Sequence, residues 1–290
     1  MASLKEISTK IGGVKKTSQI TKAMNMVSAS KLRGAQLKME NFHPYAEKFN
    51  ATMANLSSGA TGDYPLMEVR DVKTVEILVV TSDRGLCVSF NSNIIRMAEK
   101  LAAKYEAEGK KVSFVCVGKK GSNYFRKRGL VRTAYRDIMG TFQMFNARQI
   151  AQDIAANFEA GEADEVKVIY GHFRSVARQI PTTMHLLPVK PIEGAEDAAA
   201  AGQSSDYIYE PSSDQIMEVL LPLYMNVMVF NSMLHIGASE HAARMTAMDN
   251  ATNACNDIVK DLTMIFNKAR QAAITGDLMD IVGGAEALKG

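Results

Sequence analysis

The side chains best suited to chemistry are scattered through this sequence rather than gathered into motifs. Cys87, Cys116 and Cys255 are the three cysteines, odd in number and far apart, which excludes a disulfide framework and a zinc pattern. The five histidines are His43, His172, His185, His235 and His241. None stands in H-E-x-x-H, so each reads as a surface or internally satisfied histidine rather than a metal ligand. VGKKGS (117–122) follows a strand-like run but lacks the G-x-x-x-x-G-K-[ST] spacing of a phosphate-cradling loop. No G-x-G-x-x-G follows TVEILVV (74–80), and no G-x-S-x-G elbow occurs. What remains is Asp83, Arg84 and Gly85 in the turn TSDRGLC, whose charges either fix the turn or meet a neighbouring surface. No catalytic residue, cofactor or metal is expected.

The charge distribution narrows the class further. The chain has 290 residues with 34 Lys+Arg against 31 Asp+Glu. Apolar residues make up 47 %, a globular composition. Residues 1–40 hold eight basic and two acidic residues, whereas 240–290 hold five basic and seven acidic ones. A basic arm can bind nucleic acid. However, no aromatic residue precedes Phe42, so stacking on single strands has no platform and no nucleic-acid partner is expected. The positive segment instead fits a helix face turned toward acidic protein partners and a mildly acidic second helix. No run of about 18 apolar residues and no apolar leader in MASLKEISTKIGG are visible, so neither a membrane span nor a secretory signal is expected. With so few cysteines, a reducing location is the default.

Those residues need elements to hold them. From Ser3 to Leu56 a 3–4 apolar spacing runs Leu4, Ile7, Ile11, Val14, Ser18, Thr21, Asn25, Ser28, Leu32, Ala35, Met39, Phe42, Ala46, Phe49, Met53, Leu56. That is a coiled-coil seam. It turns small and polar from Ser18 to Ser28, where Ile20, Ala23, Met24 and Val27 are expected to take over the apolar stripe. Ser3 and Glu6 fit a capping box, Pro44 predicts a kink or break, and Gly12, Gly13 and Gly34 weaken the helix. Residues 57–73, with Gly59, Gly62 and Pro65, read as a linker.

From 74 to 210 the period changes. Strand-like runs TVEILVV, VSFVCVG (112–118) and EVKVIYG (165–171) alternate with helical stretches over 91–108 and 142–160, and 179–189 looks extended. This predicts a Rossmann-like α/β domain with a mainly parallel sheet. GAEDAAAAGQSSD (194–206) reads as an acidic loop of small residues. The segment 211–290 is helical again, with a bend expected at Pro222. Its later stripe is Met245, Met248, Cys255, Ile258, Leu262, Ile265, Ile274, Leu278 and Ile281. Some 75 helical residues span roughly 110 Å. Two long terminal helices flanking a compact α/β domain predict an antiparallel two-helix coiled coil.

At this point the strings themselves carry a resemblance. KIGGVKKTSQITKAMNMVSASKLRGAQ (10–36) resembles the N-terminal helix of the γ subunits of F-type ATP synthases. SEHAARMTAMDNATNACNDIVKDLTMIFNKARQAAITGDLMDIVGGAEAL (239–288) resembles their C-terminal helix, and TSDRGLCVSFN (81–91) their central turn. Val88 departs from the family's usual glycine, so the turn is expected to be shaped differently, since valine disfavours positive φ. No close cysteine pair suggests thiol regulation.

The resemblance implies a central rotor without a catalytic site of its own. Its partners would be three α and three β subunits, the ε subunit, the membrane c-ring and, in the assembled complex, δ. Its location would be the cytoplasmic face of the bacterial plasma membrane, as a peripheral subunit. It further implies that Lys22, Met24, Met26, Arg270, Gln271 and Thr275 touch the α/β ring, and that Tyr207 and Glu210 face the c-ring and ε. Small and Met-rich positions near Met24, Met26, Met245 and Met248 suit a surface that slides. Two other classes are a free-standing coiled-coil adaptor, and a small-molecule enzyme using Asp83 and Arg84 at the strand ends.

Overall fold

A computed structural model describes residues 3–57, 62, 64–190 and 213–288. The chain forms two compact units, one from residues 29–244 and one from residues 1–28 with 245–290.

The larger unit is built on a five-stranded sheet. Its strands are β1 (Thr74–Val80), β2 (Lys111–Val117), β3 (Val131–Tyr135), β4 (Glu165–Ser175) and β5 (Arg178–Leu187), in the order β3-β2-β1-β4-β5. The first three pairings are parallel, and β4–β5 is an antiparallel pair. The expected α/β domain with a mainly parallel sheet is therefore present, with one antiparallel edge. β1 lies centrally and is buried on both faces, which is why TVEILVV carries almost no polar alternation. Its exception, Glu76, is fully buried. Burial pushes the Glu76 carboxyl up, against the pull of Arg132 on β3, whose Nε donates to it at 2.6 Å. Arg132 also pairs with Asp153 at 2.9 Å.

Strand β3 has no counterpart in the sequence expectations. VRTAY is five residues long, carries Arg132 mid-run and sits at the sheet edge, so it lacks the apolar run that marks β1 and β2. Helices α2 (Phe90–Ala107), α3 (Lys119–Arg126) and α4 (Met144–Glu159) connect the strands. The β2–α3 turn depends on Gly118, at φ 90°, where a Cβ would lie 2.1 Å from the Thr81 carbonyl oxygen. Only glycine fits there.

Two long helices contribute to both units: α1 (Leu4–Ser57) and α5 (Ser213–Ala287). Within the larger unit their apolar seams meet in an antiparallel sense. Phe42 packs edge-on against Phe230, and Phe49 stacks with Tyr224. The helix α1 is not broken at Pro44, nor α5 at Pro222. Each proline removes one backbone donor, and the packing of the surrounding seam holds the helix through it. One 18-residue window of α5 is long and apolar enough to cross a membrane by composition, and 56 % of it is buried within the fold. A core helix meets the same criterion.

The smaller unit is the helix pair itself. On α1 the predicted seam faces inward at every position from Leu4 to Ser28. The expected drift of the stripe does not occur. Ile20 is 60 % and Val27 56 % exposed, Ala23 is exposed, and Met24 is half-buried. The polar residues keep the seam because they find partners across it, as described below. On α5 the inward positions are Met245, Met248, Thr252, Cys255, Val259, Leu262, Phe266 and Ala269, again spaced three and four apart. Ile258, Ile265, Ile274, Leu278 and Ile281, expected in the stripe, are exposed. The period was right, but β-branched Ile marked the outer face while Val259 and Phe266 took the seam.

Candidate functional site

Among the described residues, three side-chain hydrogen bonds cross the helix pair. The Ser18 hydroxyl donates to Asn256 Oδ1 at 2.9 Å, the Thr21 and Thr252 hydroxyl oxygens lie 2.7 Å apart, and Asn25 Nδ2 donates to the Met245 carbonyl at 2.9 Å. Residue numbers rise on α1 as they fall on α5, so the helices are antiparallel. Continuing that register by heptads sets Val14 level with Val259, Ile11 with Leu262, Ile7 with Phe266 and Leu4 with Ala269. A polar side chain in a helix seam is tolerated when its hydrogen bonds are met. That condition is satisfied here, and it explains why Ile20, Met26 and Val27 point outward instead.

The predicted contact residues fall into two sets on this pair. Lys22 and Met26 are exposed on α1 and Met24 is half-buried, near the Asn25 layer. Arg270, Gln271 and Thr275 are exposed on α5, and the Thr275 hydroxyl donates to the Gln271 carbonyl at 2.9 Å. The two sets are not brought together. At 1.5 Å per residue they stand roughly 30 Å apart along the helices. Arg270 onward lies past Ala269, the last half-buried position on α5, which stands level with Leu4 at the start of α1 among the described residues. Met248, expected on a sliding surface, is buried in the seam. Tyr207 and Glu210 lie outside the described residues, as does the acidic loop at 194–206.

The turn after β1 belongs to the larger unit. Asp83 is fully engaged as a cap: Oδ1 accepts from the Lys119 and Asp137 amides at 2.9 and 3.0 Å, and Oδ2 from the Met139 amide at 3.0 Å. Such a carboxylate fixes the loops after β2 and β3, with three of its acceptor sites taken by backbone amides. Arg84 is exposed. The Gly85 carbonyl accepts from Arg244 Nε at 3.1 Å, and Arg244 pairs with Glu240 at 2.5 Å in a site where both are buried. Burial pushes the Glu240 carboxyl up, with Arg244 opposing. Neither partner emerged from the sequence, although their four-residue spacing on one helix face was a readable signal.

The expected effect of Val88 is corrected here. The turn keeps a left-handed backbone despite valine, with φ 49° at Val88 and 64° at Leu86. Asn91 imposes it by holding Ser82 and Cys87: its Oδ1 accepts from the Ser82 amide at 3.0 Å, and its Nδ2 donates to Cys87 Sγ at 3.1 Å. Leu86 and Val88 consequently project into solvent. The Cys87 thiol is buried and its pKa is raised by that burial, so it is a poor nucleophile.

A cavity of about 460 Å³ beside this turn is lined by Lys31, Arg84, Asp137, Glu240, His241 and Arg244 among others. Its carboxylates are engaged: Asp137 accepts from Lys119 Nζ at 2.6 Å and Glu240 from Arg244. The VGKKGS loop does not cradle phosphate. Its amides at Lys119, Lys120 and Gly121 are bonded to Asp83, Ser82 and Thr81. Among the described residues no group of three or more His, Cys, Asp or Glu could hold a metal ion.

Comparison with known proteins gives one answer along the whole chain. A family model described as ATP synthase matches residues 3–288. The ATP synthase gamma chain of Desulfotalea psychrophila is 64 % identical over 290 residues, covering 100 % of both chains. That of Nitratidesulfovibrio vulgaris is 53 % identical over 293 residues, again with 100 % coverage of both. Among solved structures, the central stalk/c-ring of the Tetrahymena thermophila mitochondrial ATP synthase aligns with a TM-score of 0.61 at 28 % identity, over 80 % of this chain and 99 % of that one. A chain of the Euglena gracilis mitochondrial enzyme aligns with a TM-score of 0.71 at 20 % identity, over 98 % and 94 %, and shares the fold. The antiparallel helix pair, the α/β body and these full-length matches together establish that the chain belongs to the ATP synthase γ-chain family, the central-stalk rotor subunits.

Proposed function

We propose that this chain couples ion flow through a membrane c-ring to ATP synthesis or hydrolysis at a catalytic head of three α and three β subunits. It works as a peripheral subunit on the cytoplasmic face of a bacterial plasma membrane, with ε and, in the assembled complex, δ as further partners. Catalysis takes place at the α/β interfaces, and this chain imposes their asymmetry by turning.

The observation that carries this reading is the inverted segment of α1. Between Ser18 and Ser28 the inward positions are the polar Ser18, Thr21, Asn25 and Ser28, while Ile20, Met26 and Val27 face out. Exposed apolar groups on a stiff rod, interspersed with Lys22, suit a surrounding surface that covers them without gripping them. Apolar contact is non-directional, and exposed ion pairs contribute only about 0–1 kcal/mol each. A bearing needs both properties, because a strong directional contact would hold the rotor at one angle. On this reading Lys22, Met24 and Met26 contact the ring at one level, and Arg270, Gln271 and Thr275 contact it at another. Asp83, Arg84 and Gly85 form a rigid turn that presents Arg84 to a neighbour, and Tyr207 and Glu210 face the c-ring.

Reconstitution of this chain with α and β subunits tests the proposal. ATP hydrolysis should appear, and a bead fixed to the α/β body should rotate during turnover. An assembled complex that hydrolyses ATP with the bead stationary would overturn it.

A further inference from the structure

Helix α3 carries a charge imbalance that the rotor function does not use. KKGSNYFRKRG places five cations in eleven residues, 119–129. Lys119 pairs with Asp137, and Arg128 with Glu99. Lys120, Arg126, Lys127 and Arg136 make no ion pair among the described residues. These four line one open recess of about 700 Å³ together with Asn123 and Tyr124, and no carboxylate lines it.

Arg136 distinguishes this recess from an ordinary solvated lysine face. It is half-buried, and its guanidinium is held by neutral acceptors: Nε donates to the buried Ser122 hydroxyl at 2.9 Å and Nη2 to Asn123 Oδ1 at 2.7 Å. The fork is thus oriented without being neutralised, and Nη1 has no partner among the described residues. An oriented guanidinium matches a tetrahedral oxyanion in both geometry and charge. Lys120 on α3 and Lys127, its C-cap residue in helical conformation, are two turns apart on one face, a row roughly 10 Å long. That length suits a chain of linked phosphates better than a single one.

We propose that this recess binds the oligophosphate chain of a soluble ligand, with Arg136 as its anchor and Lys120 and Lys127 along the chain. It reads charge and not a nucleobase. The Tyr124 ring carries the Arg128 guanidinium over one face at 4.8 Å, meets the Phe125 ring edge-on at 5.3 Å, and its hydroxyl donates to Glu99 at 2.7 Å, so the ring is already engaged within the fold. The α3 amides are already bonded within the β1 and β2 turns, so recognition comes from side chains alone.

The test is calorimetric titration of the full-length chain with sodium tripolyphosphate at physiological ionic strength. Saturable one-to-one binding is expected, weakening as salt rises. ATP and GTP should bind alike. Arg136→Gln should weaken binding about tenfold or more, as loss of a charge-assisted fork does. Because Arg136 also braces Ser122, the exposed double variant Lys120→Gln/Lys127→Gln supplies a second measurement that leaves folding intact, and it should weaken binding comparably. Lys15→Gln/Lys16→Gln on α1 should leave it unchanged. Absence of saturable binding, or binding indifferent to the recess variants, would overturn the proposal. So would adhesion to phosphatidylglycerol vesicles that tripolyphosphate does not compete away.

Discussion

Thr21 on α1 and Thr252 on α5 share a hydrogen bond of 2.7 Å in the middle of the helix pair, where a coiled coil ordinarily buries leucine or isoleucine. Each hydroxyl also lies within donating distance of a carbonyl of its own helix, Thr21 of Ser18 and Thr252 of Met248, so when one threonine donates across the pair the other accepts there and donates to its own carbonyl. Thr21→Val should therefore cost about 1 kcal/mol, the usual value of one such bond. Thr21→Val with Thr252→Val should recover most of that loss, because removing both partners leaves neither unsatisfied. A double-mutant cycle from urea unfolding of the full chain gives the coupling; strictly additive losses would show that the two hydroxyls do not interact.

Val88 holds φ 49° with its side chain mostly in water. A β-branched residue in that region carries about 1–3 kcal/mol of strain, whereas glycine there costs at most about 1 kcal/mol of extra unfolded-state entropy. Val88→Gly should raise the melting temperature. A fall would mean that the exposed valine makes contacts that outweigh the backbone strain.

His235 and His241 are both pushed down to about 4, first by burial. For His235 the neighbouring His172 adds to the shift, and for His241 Arg244 does. An unfolded histidine titrates near about 6.5. Between those values the unfolded chain binds more protons than the folded one, so stability falls as pH drops from about 6.5 toward 4. Buried Glu76 and Glu240, whose carboxyls are raised, act in the opposite sense over part of that range. The clean measurement is a difference: denaturation midpoints at pH 7.5 and pH 5 should separate less in His235→Gln than in the unmodified chain.

Arg132→Met should be among the most damaging single changes in the α/β body. It leaves Glu76, fully buried in the central strand, without its countercharge, a loss of about 3 kcal/mol or more. Glu76→Gln in the same chain should restore much of the stability, as followed by guanidinium unfolding.

Met24→Lys tests the bearing. On the proposed reading it adds a cation where the surface must turn freely, so ATP-driven proton pumping should fall more than ATP hydrolysis in reconstituted vesicles. An unchanged pumping-to-hydrolysis ratio would remove Met24 from the coupling surface.

Much of the architecture could be read from period alone. The switch from three–four spacing to continuous apolar runs marked where helix gives way to buried strand. The heptad positions of α1 face inward as spaced, but the shift of the stripe to Ile20, Ala23, Met24 and Val27 does not occur. Three things were hidden for physical reasons. β3 is short, charged and at an edge, so its stability comes from pairing with β2 rather than from composition. The polar seam looked like a fault in the coiled coil because its partners lie more than two hundred residues away. The brace on the TSDRGLC turn comes from Asn91 and Arg244, and only tertiary structure shows that they reach it.

Among the described residues, the unequal lengths of the paired helices leave residues 270–287 without a neighbour of their own. Ile274, Leu278, Met279, Ile281 and Val282 stand in water there, and Gly276, Gly283 and Gly284 weaken the backbone that carries them. A solitary stretch of that composition has little to keep it wound. In a purified sample it is the natural starting point for unravelling and for clumping of one copy with another, so the isolated subunit should keep best at low concentration or with something greasy enough to sheathe its end.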